Sequence, residues 1–236
     1  MSEIHWSLKN CNLFERLTPN QLKQLEMTSR FRRFPRNTPV YLPAEESDGV
    51  FLLVSGRVKI CSFTTEGKQS ILTFIEPGEL FGELAILEGG QREEYAETLE
   101  ASEIVLIPSD KMQQLLEEIP HVALGITKLI GWRRKRIERR LKYLLFHSNR
   151  ERLIHLLLEL AEQYGKKTEQ GVELTIKLSH QDIANVIGGT RETVTVLLGD
   201  LKSEELVALG RRKITLLQPE RLAESVEAPP PVLRNS

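Results

Sequence analysis

Residues 178–219 read LSHQDIANVIGGTRETVTVLLGDLKSEELVALGRRKITLLQP, and two short helices are legible in them. Ser179 stands where an N-cap is needed, three residues before Asp182, and Ile183, Val186 and Ile187 supply an apolar face that Gly188-Gly189 ends. Thr190 caps a second helix at once. Val194, Leu197, Leu198 and Leu201 fall at i, i+3, i+4 and i+7 and face inward, which leaves Arg191, Glu192, Thr195, Val196 and Lys202 outside. Two short helices joined by a tight glycine turn, the second opening on an Arg-Glu pair, form a helix-turn-helix arrangement. An Arg fork can donate two hydrogen bonds to guanine, a Glu carboxylate can accept from the cytosine amino group, and Val196 can touch a thymine methyl. Arg191, Glu192, Thr195 and Val196 are therefore the candidate base contacts. The hydroxyls of Ser179, Thr190 and Thr193 suit phosphates, as do Gln181, Lys202 and Arg211. Gly210-Arg211-Arg212-Lys213 would form the basic tip of a wing. On pattern alone, a generic helical hairpin with solvated polar faces is the competing reading.

Upstream, RERLIHLLLELAEQYG predicts a helix closed by Gly165, GKKTEQG (165–171) an exposed loop, and the strictly alternating VELTIKL (172–178) a strand. Before these, Val122, Ile126, Leu129, Ile130, Ile137, Leu141 and Leu144 recur three, four or seven residues apart, as on a long helix with a partner-facing stripe. Seven basic residues and one acid lie between Arg133 and Lys142 of that helix, and they read as a solvated face flanking an oligomer seam. The domain boundary and hinge are placed near His147 to Asn149. Farther back, short alternating runs from Pro39 to about Leu106, punctuated by Gly49, Gly56, Gly67, Gly78 and Gly82, predict a compact β-roll or barrel. Thr18-Pro19 marks the start of a short leading helix.

Composition narrows the function. The 236 residues include 32 Lys plus Arg against 33 Asp plus Glu and are 40% hydrophobic, as in an ordinary soluble globular protein of one large or two modest domains. Bulk electrostatic capture of nucleic acid is not expected. Cys11 and Cys61 are the only cysteines, which leaves a disulfide scaffold, a zinc knuckle and a four-thiolate iron–sulfur site without ligands and favours a reducing, cytoplasmic compartment. The start MSEIHWSLKN lacks a signal peptide's basic and apolar regions, and no run approaches the roughly 18 apolar residues of a membrane span. A cupin-like metalloenzyme is disfavoured because residues 39–107 hold no histidine. His5, His121, His147, His155 and His180 read as structural or exposed, and no metal site is expected.

The TRETV run, Thr190 to Val194, together with LSHQDIA and TVTVLLGDL, resembles the catabolite-activator and fumarate-nitrate regulator (Crp/Fnr) superfamily of bacterial transcription factors, especially its nitrogen-control branch. The resemblance extends from Leu13 to about Pro219. It implies an α+β chain in which a cyclic-nucleotide-binding-type β-roll (jelly roll, 10–119) leads through a dimerisation helix (120–147) to a winged helix-turn-helix domain (150–222), with a disordered tail (226–236). It also implies that Arg191 and Glu192 contact bases and that Thr193 meets a phosphate. Many relatives carry Arg where this chain has Val196, so one base pair of each half-site should differ.

PGELFGELAILEGGQREEYAETLEA, Pro77 to Ala101, is similar to the family's phosphate-binding cassette, and this makes Gly82, Glu83, Leu84, Arg92, Glu93, Ile137 and Glu138 the effector-pocket candidates. Gly82, Glu83 and Arg92 match. Glu93 and Glu94, however, put two carboxylates where a phosphate needs donors, and Ile137 and Glu138 replace the Thr-Ser pair that reads adenine in cyclic-AMP activators. Cyclic AMP is therefore not expected as effector, nor is haem, nor an iron–sulfur cluster. Another small molecule, control by abundance, or a redox input stays open, and the simplest role for Glu83 and Arg92 is an ion pair with each other. The expected protein is a homodimer that binds a palindrome in double-stranded DNA and touches RNA polymerase, with no membrane partner and no enzymatic activity. The alternative is a ligand-binding signalling module acting through protein partners.

Overall fold

Local capping starts the helices. In the computed structural model, which describes residues 3–88 and 90–233, α1 (Glu3–Lys9) precedes α2 (Pro19–Thr28). Thr18 caps α2 by accepting from the Gln21 amide while the Gln21 side chain accepts from the Thr18 amide. Strands β1 (Arg30–Phe34), β2 (Pro39–Tyr41), β3 (Gly49–Ser55), β4 (Val58–Phe63), β5 (Gln69–Ile75) and β6 (Leu80–Phe81) follow, then α3 (Leu84–Glu88), β7 (Tyr95–Thr98) and β8 (Ser102–Pro108). They form two antiparallel four-stranded sheets, ordered β1-β8-β3-β6 and β2-β7-β4-β5. The roll begins one strand earlier than the glycine spacing indicates. Arg30–Phe34 pairs with β8 from Arg30↔Leu106 to Phe34↔Ser102, and as an edge strand rich in arginine it lacks an apolar signature.

The run GVFLLVS is nearly all apolar because β3 is covered on both faces. Phe51 and Leu53 point into the core between the sheets with Val58, Ile75 and Ile104. Val50 and Leu52 join a second core with Val105, Ile107 and residues of the covering helices, Leu8, Leu22 and Met112 among them. Fully burying an aliphatic side chain contributes about 1.5–3 kcal/mol, so both layers hold the roll.

After α4 (Ser109–Glu118), helix α5 runs unbroken from Pro120 to Phe146. Its apolar stripe is divided. Val122 and Ile126 are buried in the helix-side core of the roll, and Leu129 and Ile130 pack partly against it, so these positions serve their own subunit. Ile137, Leu141 and Leu144 are exposed, at 43%, 53% and 40%. The basic run is a solvated face only in part: Arg134, Lys135 and Lys142 are exposed, but four of its arginines face carboxylates. Arg133 pairs with Glu83, while Arg136, Arg139 and Arg140 converge on the buried carboxylate of Glu159 at 3.3–3.4 Å.

The chain divides into two compact units between Lys135 and Arg136, inside α5, and not near the expected hinge at His147 to Asn149. The corner at 147–148 is tied by hydrogen bonds from the helix that follows. Arg152 donates to the carbonyls of Leu144 and His147, and also to that of Tyr143, which accepts from the His147 amide as well. Tyr143 stacks on His155 with ring centres 4.0 Å apart, and Ser148 and Glu151 close a capping box at the start of α6 (Asn149–Tyr164).

Every residue of α6 from Leu153 to Ala161 is buried, which makes it the central helix of the second unit. The GKKTEQG segment is a hairpin rather than a loop, with β9 (Gly165–Thr168) paired to β10 (Gly171–Leu174). Its two exposed lysines on an edge strand hide the pattern. Then come α7 (His180–Ile187), α8 (Arg191–Ser203), β11 (Val207–Gly210), β12 (Lys213–Leu216) and α9 (Pro219–Glu224), the sheet running β11-β12-β10-β9. The segment expected to be a disordered tail packs back: Val226 is buried, and Leu233 lies against Gly165, where an added Cβ would come within 2.8 Å of it. Residues 234–236 lie outside the described residues.

Glu159→Gln removes the one carboxylate shared by Arg136, Arg139 and Arg140. It should lower the unfolding free energy of the second unit by about 3–5 kcal/mol, the cost of leaving a buried charge without its partner. Urea unfolding followed by circular dichroism checks this.

Candidate nucleic-acid interface and effector loop

The helix-turn-helix is built by capping at three successive points. Ser179 accepts from the Asp182 amide and donates to the Asp182 carboxylate at 2.6 Å, which starts α7. Gly188 ends it with φ +70°, a left-handed conformation that costs a non-glycine residue about 1–2 kcal/mol. Thr190 starts α8 by accepting from the Thr193 amide, and the two hydroxyls share a hydrogen bond of 2.9 Å. The hydroxyls of Ser179, Thr190 and Thr193 are thus already engaged in capping.

Val194, Leu198 and Leu201 are buried and Leu197 is half-buried, so α8 turns Arg191, Glu192, Thr195 and Val196 to the exterior, Val196 at 62% exposure. Lys202 is also exposed, about 16 Å farther along the helix from Arg191. The wing is the β11–β12 hairpin, turned by Arg211 and Arg212 between the paired Gly210 and Lys213, with Arg212 at φ 55°. A cleft of about 510 Å³ lies between wing and helices, lined by Ser179, Gln181, Arg191, Arg212 and Lys213. Lys213 is tied to Glu173 at 2.7 Å.

His180 also lines that cleft, and sequence reasoning did not place it in the site. Its Nδ1 lies 2.8 Å from the Thr195 hydroxyl, joining the two helices of the motif. Its position immediately after the cap Ser179 is the only signal the sequence carries for it.

In the β-roll, Glu83 and Arg92 are both buried but are not partners. Glu83 pairs with Arg133 of α5 at 2.8 Å, and Arg133 also donates to the Leu80 carbonyl. Arg92 donates through its two terminal nitrogens to the carbonyls of Gly49 (2.7 Å) and Gly82 (3.3 Å) and to the carboxylate of Asp48. Its guanidinium lies over the rings of Tyr41 and Phe51, 4.3 and 4.9 Å from their centres. A Cβ at Gly82 would come within 2.6 Å of that guanidinium, and Gly82 has φ +74°.

The two carboxylates after Arg92 part company: Glu93 faces solvent, while Glu94 turns inward toward the Tyr41 hydroxyl at 3.5 Å. Burial, then the charge of Glu83, pushes the Glu94 carboxyl above its ordinary value, against the pull of Arg133 and the Tyr41 hydrogen bond. Leu84 is exposed at the start of α3, and Ile137 and Glu138 are exposed on the half of α5 that belongs to the second unit. Among the described residues no group of three or more His, Cys, Asp or Glu side chains is placed to hold a metal ion, and no helix is long and apolar enough to cross a membrane.

Comparison with known proteins gives this architecture its class. Residues 31–119 match the cyclic nucleotide-binding domain, and residues 151–225 match the Crp-like helix-turn-helix domain. A global nitrogen regulator of Synechococcus elongatus is 30% identical over 197 residues, 83% of this chain and 89% of that protein. A CRP-like cAMP-activated global transcriptional regulator of Mycobacterium tuberculosis is 27% identical over 223 residues, 94% of this chain and 98% of that protein. Among solved structures, a CooA mutant from Carboxydothermus hydrogenoformans has a TM-score of 0.75 at 26% identity, covering 93% of this chain and 97% of that one. A nucleotide-binding-type sheet domain, a long helix and a helix-turn-helix are the parts of a DNA-binding transcription regulator, not of an enzyme. The chain belongs to the Crp/Fnr family.

The raised Glu94 carboxyl sets a pH dependence. Its charged form is disfavoured in the folded state, so stability grows as pH falls through the raised value and levels off near the unfolded carboxylate range, about pH 4. Glu94→Gln should therefore melt at a higher temperature than the wild type at about pH 7–8, and the difference should vanish by about pH 4 in a thermal melt series.

Proposed function

We propose that this protein is a homodimeric, sequence-specific regulator that reads a palindromic DNA site through α8 and does so without cyclic AMP. The observation that carries the reading is the exposed row Arg191, Glu192, Thr195 and Val196 beside the basic turn Arg211-Arg212. Arg191 and Glu192 have the donor fork and the acceptor that tell guanine and cytosine from the other bases in the major groove, and Val196 offers an apolar surface to thymine. Gln181, Lys202 and Arg211 are exposed and suited to phosphates, as are Ser179, Thr190 and Thr193 where their capping hydroxyls retain an acceptor or exchange a proton.

Dimerisation is supported by Ile137, Leu141 and Leu144, with Leu145 at 65% exposure, on a helix of 27 residues. Two such chains related by a two-fold axis read half-sites about 34 Å apart, which makes the site a palindrome. The net charge of −1 is compatible, because affinity comes from the local cluster of cations. Binding should weaken steeply with salt. Contact with RNA polymerase and a cytoplasmic location follow from the same role.

Independence from cyclic AMP rests on the effector loop. A cyclic phosphate needs N–H donors, and three of the five N–H groups of Arg92 are turned inward to Gly49, Gly82 and Asp48. Glu94 adds an inward carboxyl where an anion would have to sit. The relatives include both a nitrogen regulator and a cAMP-activated regulator, so their names do not select an effector.

Selection of bound duplexes from a random pool by the ligand-free protein, with and without cyclic AMP, tests the proposal. A palindrome recovered equally in both conditions is expected; enrichment only with cyclic AMP would overturn the effector reading. Arg191→Ala should cost about 1–3 kcal/mol at the selected site and broaden the consensus at one position per half-site.

A further inference from the structure

We infer that Thr195 reads a thymine through its methyl group, not through its hydroxyl, and that His180 is the positioning residue that makes it do so. The inference rests on α8 being the DNA-reading helix. A threonine hydroxyl has one proton and two lone pairs. The Thr195 proton goes to the Arg191 carbonyl at 2.9 Å. That i−4 bond is common in helices and alone would leave both lone pairs for a base. Here the imidazole of His180, from the first helix of the motif, lies with Nδ1 2.8 Å from the same oxygen. Because the Thr195 proton is already donated, His180 must be the donor, which fixes its proton on Nδ1.

Two consequences follow for recognition. Thr195 has no proton left for guanine N7 or O6, adenine N7 or thymine O4, so it cannot read those acceptors. His180 takes one of the two lone pairs, so the oxygen keeps a single acceptor site, whose base partners are the adenine and cytosine amino groups; thymine, which offers only O4 and its methyl, can be read only by the methyl on the same Cβ of the exposed Thr195, beside Val196. The helix then divides its labour: Arg191 and Glu192 read base edges by hydrogen bonds in its first turn, and Thr195 and Val196 read thymine methyls one turn later. Each half-site should contain a position where thymine is preferred because of its 5-methyl group and where Thr195, independently of Val196, senses that group.

The probe is the selected duplex with single thymines replaced by deoxyuridine, which removes the methyl and keeps the base pair. At one position per half-site the wild type should bind the deoxyuridine duplex about fourfold more weakly, the worth of one buried methyl. Thr195→Val keeps the branched shape and drops the hydroxyl; it should bind within about twofold of wild type and keep that deoxyuridine penalty. Thr195→Ser keeps the hydroxyl and drops the methyl; it should lose the penalty at that position while penalties due to Val196 persist. His180→Ala should broaden base preference at the same position, and His180→Gln, which retains a side-chain donor, should restore it. A purely structural role for His180 would alter affinity without moving that preference. Retained affinity in Thr195→Ser with loss in Thr195→Val, or a deoxyuridine profile identical in wild type and Thr195→Ser, would overturn the assignment. Failure of the wild type to select any sequence would instead overturn the DNA-reading role of α8, and this assignment with it.

Discussion

One buried carboxylate organises the second half of the molecule. Glu159, on the central helix α6, draws in Arg136, Arg139 and Arg140, which stand at i, i+3 and i+4 on one side of α5. The three guanidinium groups would repel one another without it, and the end of α5 would rely on the Tyr143–His155 stack and the bonds from Arg152 to hold it to α6. Arg152 completes the joint from the same helix by taking up the terminal carbonyls of α5 and reaching the carbonyl of Ile187 at 3.4 Å, one residue before the glycine turn of the DNA-binding motif. Leu144 packs at that turn, within 2.8 Å of where a Cβ on Gly188 would sit. The end of α5 is therefore continuous, through side chains, with the loop that sets the angle between α7 and α8. In the proposed dimer, the seam formed by Ile137, Leu141 and Leu144 fixes the reading helix as directly as it fixes the partner.

The effector loop uses arginines differently. Arg92 is sandwiched against Tyr41 and Phe51 and hydrogen-bonded inward, so it acts as a packing element of the roll. Arg133 neutralises Glu83 and fastens α5 to the β6–α3 corner. The loop lies within the stretch that matches the cyclic nucleotide-binding domain, and its buried Glu83 and Arg92 pair with Arg133 of α5 and Asp48 of the roll.

Which features were legible in the sequence follows from how local their causes are. The helix-turn-helix could be read because each signal acts within four residues: Ser179 with Asp182, Thr190 with Thr193, and Gly188 at a left-handed turn. The apolar spacing of α8 assigned its outer face correctly. Strands β1 and β9 were missed because edge strands carry arginine and lysine in place of alternation. The basic run of α5 is only partly legible as a solvated face because the partner of Arg136, Arg139 and Arg140 lies about twenty residues onward and that of Arg133 fifty residues back, and spacing cannot show either. Glu83 and Arg92 were paired by proximity in the chain, whereas the fold gives them Arg133 and Asp48. His180 escaped notice because its role depends on a hydroxyl fifteen residues away.

In the proposed complex α8 enters the major groove twice, at half-sites related by a two-fold axis. Methylation interference on the selected duplex, with the ligand-free protein, tests this most directly. Two guanines on opposite strands, symmetric about the centre and about one helical turn apart, should abolish binding when methylated at N7, the atom that an arginine fork engages. Binding that survives methylation of every guanine, or interference in one half-site alone, would contradict a symmetric dimer reading DNA through Arg191.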